Sequence, residues 1–358
     1  MRIFYTLIIA LLFIGQNAHA GYESAAAYNK TTNGVSLLIM QNGKIVFEDY
    51  TNGHSPYSTI ELASGTKSFS SIIAAAAIQD GLITSLDEKA SLTLNEWAND
   101  PQKKNISIRQ ILSLTSGIDT PTPTKNPPTY AEAIKLPMQS APGRSYEYGP
   151  ANFQIFGEIM QRKLRTYKNG LYKDPIDYLH ARVFNKIGIK PENWDESKDG
   201  LSILSMGADI STRDWAKFGQ FVLQDGQWKK EQLVDKKALK EITKGSAYNP
   251  SYGLAWWLNT PATITLLKES RTMRRATDFY KNPNAKRLPK DLFMAAGAGN
   301  QRLYIIPSMN MVIVRQAPGI FADKSSRLKG WYNRKKNGIS KLKKFSDVDF
   351  LTELLIKK

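Results

Sequence analysis

Two short apolar blocks open the pattern, Val35-Ser36-Leu37-Leu38-Ile39-Met40 and Ile45-Val46-Phe47-Glu48, with Gln41-Asn42-Gly43-Lys44 between them. The Asn-Gly pair suits the positive backbone angles of a tight turn and its flanks suit strands, so the stretch predicts a hairpin behind a polar lead. An Ala/Ile run from Ser71 to Ile78 predicts a helix stopped at Asp80-Gly81. From there to about residue 205 the pattern is mainly helical, with Ile108 to Gly117 as one piece and Pro121, Pro123, Pro127 and Pro128 marking an irregular segment after it. Gly149-Pro150 feeds an amphipathic helix, and Thr212 to Leu223 forms another, closed by Asp225-Gly226. Tyr252 to Leu258, Leu292 to Ala298, Arg302 to Ile306 and Met311 to Arg315 read as strands, the middle two paired around a short glycine turn. Strands therefore flank a helical middle without internal repeats, which predicts one sheet-containing domain with a helical insertion.

The first twenty residues change the picture of where the chain works. Arg2, the apolar run Ile8 to Ile14 and Ala18-His19-Ala20 have the three parts of a secretory signal peptide cut after Ala20. No later apolar run is long enough to span a bilayer, so a periplasmic or secreted protein without a transmembrane anchor is expected from residues 21–358. Cysteine is absent, which excludes disulfides, thiolate nucleophiles and cysteine-bound zinc. Of three histidines His19 leaves with the signal, and neither His54 nor His180 lies in a metal-binding pattern, so no metal or organic cofactor is expected. The formal charge is +17, concentrated in Arg271 to Arg275, Lys286-Arg287 and Lys324 to Lys344. Such a field suits an anionic envelope polymer, or is an unspecialised basic surface; an exported chain has no use for nucleic acid.

With histidine this scarce, the candidate chemistry moves to lysine. Ser64 and Lys67 lie three apart at the head of the Ala/Ile helix, a spacing that puts a hydroxyl and an amine on one face. A lysine walled off by apolar residues can lose its proton near neutral pH and serve as a base for the serine. The spacing alone is equally that of a helix-capping serine before a solvated lysine, and it recurs at Ser326/Lys329 and Ser340/Lys343 in the charged tail.

Five segments in one order break that tie: Ser64-Gly65-Thr66-Lys67, Leu112 to Gly117, Tyr148 before a helix, Tyr252 to Trp257, and Ala296 to Gln301 before Tyr304-Ile305-Ile306-Pro307. Through them nearly the whole mature chain resembles the serine hydrolases related to class C β-lactamases and penicillin-binding proteins, with esterases and 6-aminohexanoate-dimer hydrolases among them. The resemblance implies an α/β (α+β) fold of the β-lactamase/transpeptidase type, an antiparallel sheet flanked by helices. Its sheet lobe would be about 21–84 and 206–358, and its helical lobe about 85–205.

The resemblance also implies roles. Ser64 would attack an ester or amide carbonyl while Lys67 and Tyr148 share the proton transfers, with either as the principal base. The oxyanion hole would be the amides of Ser64 and, with Ala295-Ala296-Gly297 aligned on the family's Lys-Thr-Gly, of Ala298; a later register would nominate Asn300. Pro150 stands where β-lactamases carry asparagine, and Ala295 where they carry lysine or histidine. Asn152 and Arg302 are the candidate replacements, and with Gly297 they complete the expected substrate-binding set. Those two departures favour a small ester or amide over β-lactams and D-Ala-D-Ala peptides. A β-lactamase or cell-wall peptidase, and a non-catalytic envelope-binding protein on the same fold, are the alternatives.

Overall fold

In the computed structural model, which describes residues 20–120, 126–270, 273, 282–318 and 342–356, Asn42 and Gly43 have φ of 50° and 74°. They are the left-handed pair that joins β1 (Ser36–Gln41) to β2 (Lys44–Tyr50), with Gln41 opposite Lys44. β1 carries the hairpin into a six-stranded antiparallel sheet of order β2-β1-β11-β10-β9-β8. Its other strands come late in the chain: β8 (Trp257–Leu258), β9 (Phe293–Gly297), β10 (Gln301–Ile306) and β11 (Met311–Gln316). Side chains alternate along a strand, so each face of β10 is dedicated. A smaller sheet sets β5 (Ala208–Ser211) between β3 (Thr59–Glu61) and β4 (Asn193–Trp194), and β6 (Gln227–Trp228) pairs with β7 (Glu231–Gln232).

Helices cover both faces of the large sheet. On one lies α8 (Thr212–Leu223), whose Gly219 backs directly onto Leu303 and Val312. Beside it runs α2 (Ser68–Gln79), buried along nearly its whole length and stopped by Asp80 and a positive-φ Gly81. On the opposite face Tyr304 reaches Asp347 at the start of the C-terminal helix Asp347–Leu355. That helix packs against α1, helical backbone over 20–31, where Gly21 backs onto the Leu354 carbonyl. The polar lead expected before the hairpin is therefore a helix, and Tyr22, Ala25, Ala26 and Asn29 bury one face of it at helical spacing.

Between the first two and the last four strands of the large sheet the chain is mostly helical. This stretch includes α3 (Ile108–Leu112), α4 (Tyr130–Ala133), α5 (Ala151–Thr166), α6 (Pro175–Leu179) and α7 (Asn185–Ile187). Further on come α9 (Lys236–Lys240) and α10 (Ile264–Glu269), which makes the C-terminal helix α11. No helix among the described residues is long and apolar enough to cross a membrane.

The stretch from Tyr252 to Leu258 departs from the expected strand. Only Trp257–Leu258 pairs as β8; Ala255 has φ 68°, and Tyr252 turns back to bridge Trp257. The reversal stacks aromatic rings: Tyr252 meets Trp257 edge-on at 5.0 Å and Tyr146 at 5.5 Å. Of the expected signal peptide only Ala20 falls among the described residues, and most of the basic tail lies outside them.

Candidate active site

Leu62 ties the end of β3 to β5, its amide donating to the Ala208 carbonyl at 2.8 Å. The chain then passes through Ala63, a non-glycine residue at φ 47°, into a 3₁₀ turn over Ala63–Lys67. A β-carbon disfavours that φ, so surrounding contacts must hold it there. Ser64 is not a helix-capping serine, since the turn starts at Leu62 without a side-chain cap and Ser64 sits inside it. In a 3₁₀ turn residues three apart eclipse one another, which sets the Lys67 side chain beneath Ser64 more directly than an α-helix would.

Lys67 Nζ and Ser64 Oγ lie 3.0 Å apart in a hydrogen bond. Nζ also donates to the Ser205 carbonyl at 2.6 Å, and stands 5.2 Å from the ring centre of Tyr148 and 5.5 Å from that of Phe153. Lys67 is 4% exposed and Ser64 is half-buried. Burial disfavours the ammonium and pulls the Lys67 pKa down to about 7. A large share of these amines is therefore neutral at physiological pH, beside the serine hydroxyl.

Tyr148 precedes α5, with its hydroxyl beside that of Ser64. Its ring leans on Trp257 at 5.5 Å and meets Tyr252 edge-on at 6.2 Å, which fixes its direction. Burial pushes the Tyr148 phenol up, against the opposing effects of the Ser64 hydrogen bond and of the Arg302 charge. A phenol with a raised pKa keeps its proton at neutral pH, so the two groups sharing Ser64 stand in opposite states, one able to take a proton and one able to give it.

The end of β9 lies against the serine turn. A β-carbon on Gly297 would fall 1.9 Å from the Leu62 carbonyl oxygen and 3.1 Å from the Gly65 amide nitrogen, so a residue without a side chain is required there. Ala298 follows Gly297 at an exposed position. Asn300 belongs to the turn behind, at φ 67°, with its carbonyl accepting from Arg315 at 2.7 Å.

Two expected substrate contacts are placed elsewhere. Asn152 is 1% exposed in the first turn of α5, its Oδ1 accepting from Ser116 at 2.6 Å and its Nδ2 buried without a partner. Arg302 forks Asp347 through Nε and Nη2 at 2.6 and 3.1 Å on the α11 face of β10, because strand alternation turns it away from α8. Its remaining Nη1 contacts are the carbonyls of Gly297 and Gln301, which leaves four of its five N–H groups engaged by protein.

Sequence reasoning did not single out Ser205 or Gln154. Gln154, fully buried in α5, donates to the Pro128 carbonyl at 3.0 Å and accepts from the Leu204 amide at 3.1 Å, which fixes the residue before Ser205. A polar residue on the core side of an amphipathic helix was the available signal. A cavity of about 480 Å³ lies beyond these contacts, with Pro128, Ile203 and Lys198 in its wall, and Ser64 is not among its lining residues. The chemistry is therefore located by the side-chain geometry at Ser64 and not by the size of that cavity. Among the described residues no cluster of His, Asp or Glu could hold a metal ion.

A serine hydrogen-bonded to a buried lysine of lowered pKa, with a tyrosine beside it, at the end of an inner strand of an antiparallel sheet clad in helices, is the arrangement of a serine hydrolase of the β-lactamase/transpeptidase-like fold. The chain belongs to the Beta-lactamase family, whose model matches residues 21–317. An uncharacterized protein of Alkalihalophilus pseudofirmus is 26% identical over 315 residues, which cover 79% of this chain and 83% of that protein. In fold it is similar to a beta-lactamase/D-alanine carboxypeptidase from Pseudomonas syringae (TM-score 0.61, 16% identity, 89% of this chain and 98% of that one). EstCE1, a hydrolase with promiscuous acyltransferase activity, is also similar (TM-score 0.60, 12% identity, 92% and 99%).

Proposed function

We propose that this β-lactamase-family serine hydrolase is exported and cleaves a small ester or linear amide through an acyl-enzyme on Ser64. The observation that carries the reading is the Lys67 amine, with a pKa near 7, at 3.0 Å from the Ser64 hydroxyl. Lys67 takes the hydroxyl proton as Ser64 Oγ bonds to the substrate carbonyl carbon. The carbonyl electron pair moves onto oxygen, where the amides of Ser64 and Ala298 receive the negative charge. As the tetrahedral intermediate collapses, the Tyr148 phenol protonates the leaving oxygen or nitrogen, and the Lys67 ammonium returns its proton to the phenolate. Water then adds to the acyl carbon with Lys67 again as base, and the acid leaves as Ser64 recovers its proton.

The substrate class follows from what is missing. With Ala295 in place of a cation and Pro150 in place of an amide, a β-lactam's carboxylate and acylamide lose their usual partners, at about 1–3 kcal/mol each. Arg302 is held by Asp347 and does not compensate, and Asn152 is buried with its Oδ1 taken by Ser116. A short ester carries neither group and loses nothing. Export rests on the leader-like residues 1–20, and the +17 formal charge would suit work beside an anionic envelope polymer.

The test compares p-nitrophenyl butyrate with nitrocefin on one preparation, with a fluorophosphonate probe to map the nucleophile. Ester kcat/KM at least about tenfold above that for nitrocefin is expected, with labelling on the Ser64 peptide that Ser64→Ala abolishes. Nitrocefin turnover equal to the ester's would favour the β-lactamase reading instead, and absence of both labelling and turnover the non-catalytic one.

A further inference from the structure

Arg302 lies behind the end of β9, and what it holds there belongs to the reaction. Its guanidinium is fixed by the two-pronged bond to Asp347, and the Tyr304 hydroxyl donates to the same carboxylate at 2.6 Å. From that anchored position Nη1 donates to the Gly297 carbonyl at 3.1 Å. The Gly297 carbonyl and the Ala298 N–H are the two ends of one peptide unit. The described residues include no cis peptide, and in a trans unit the C=O and N–H point in opposite directions. A cation held on the carbonyl from one side therefore aims the N–H to the other. Its charge also draws electron density toward the carbonyl oxygen, which makes the N–H a stronger donor.

The near side of the same peptide supplies the second half of the argument. Gly297 is pressed against Leu62 and Gly65, the residues on either side of the Ala63-Ser64 step, closely enough to exclude a β-carbon. The peptide that Arg302 grips is thus the one beside the nucleophile. We infer that Arg302 is a positioning residue of the oxyanion site, holding and polarising the Gly297–Ala298 peptide so that the Ala298 N–H meets the charge developing on the substrate carbonyl oxygen. The inference rests on the reading of Ser64 as nucleophile and Ala298 as oxyanion donor given above.

The full chain and its Arg302→Met and Arg302→Lys variants are compared in p-nitrophenyl butyrate hydrolysis and in inhibition by phenylboronic acid, whose tetrahedral adduct on serine mimics the oxyanion. Loss of a whole oxyanion donor costs about 10²–10³ in kcat, so misdirecting one should cost about 10–100-fold. The expected result for Arg302→Met is that fall in kcat, an equal fall in boronate affinity and an unchanged KM, with Arg302→Lys in between. A role confined to folding would lower the melting temperature while kcat per folded molecule and boronate affinity stayed at wild-type values, and that result overturns the inference. If Arg302→Met does not fold, Arg302→Lys is read by the same two measurements, and unchanged values in it are equally fatal. Ester hydrolysis surviving in Ser64→Ala would instead bring down the underlying reading, and is scored separately.

Discussion

Gly297 meets the carbonyl of Leu62 so closely that a single added methyl would lie 1.9 Å from its oxygen. The two residues are remote in sequence, yet their contact sets the distance between the serine turn and the strand end that faces it. Both groups are backbone, so neither can swing aside as a side-chain tip would. Gly297→Ala should lower stability by about 1–3 kcal/mol, the usual cost of overpacking, and ester turnover per folded molecule by at least about tenfold. Urea unfolding read beside steady-state kinetics separates the two effects.

The depressed Lys67 pKa makes a prediction about pH. The base acts only when neutral, so kcat/KM should rise with pH through about 7 and level off above it. Lys67→Ala should fall at least about a hundredfold. Stability has its own sign. The folded pKa lies below the unfolded one, so between about 7 and the usual lysine range the unfolded chain binds more protons, and stability rises with pH across that window. Below it the penalty of burying Lys67 is fully present. Lys67→Met should therefore be inactive yet more stable than wild type at pH 6, with the difference shrinking toward pH 10 in thermal melts.

Tyr148 tests the division of labour between acid and base. A neutral phenol is needed in proportion to how poorly the leaving group departs. p-Nitrophenolate departs without a proton, whereas an amide nitrogen does not. Tyr148→Phe should lose at least about tenfold more activity on a p-nitroanilide-free linear amide than on p-nitrophenyl butyrate. Equal losses on both would place Tyr148 as a positioner of Ser64 and not as the proton donor.

Gln154 is the side chain through which helix α5 controls the Ser205 loop. Gln154→Met keeps the length and deletes both bonds, orphaning the Pro128 carbonyl and the Leu204 amide. Each buried group left without a partner costs about 1–3 kcal/mol. The Ser205 carbonyl, freed to drift, would no longer orient the Lys67 amine, so kcat should drop by about tenfold with KM little changed. Calorimetry and ester kinetics on the same sample check both parts.

Ser64, Lys67 and Tyr148, which the structure brings together, were legible as candidates because each lies in a local pattern: a serine and lysine three apart before an apolar helix, and a tyrosine at a loop-to-helix junction. The Asn42-Gly43 hairpin and the paired strands β9 and β10 were legible for the same reason, since turn chemistry and alternation act over a few residues. Helix α1 was missed, read as a polar lead, although Tyr22, Ala25, Ala26 and Asn29 stand at the spacing of one helix face.

Other features had no local signal. Nothing near Lys67 in sequence reveals that its partner is the carbonyl of Ser205, 138 positions on, because backbone oxygens are common to every residue. The state of the lysine depends on burial by Phe153, Tyr148 and that loop, and burial is a property of packing. The direction of Arg302 depends on strand phase, which the position of α11 turned toward Asp347 and away from the serine. Sequence by itself determined which chemical groups the chain carries and the short elements that bear them. Only the tertiary structure decided which groups meet, in which protonation state, and which apparent ligands are already bonded to the protein, because those follow from contacts between segments far apart along the chain.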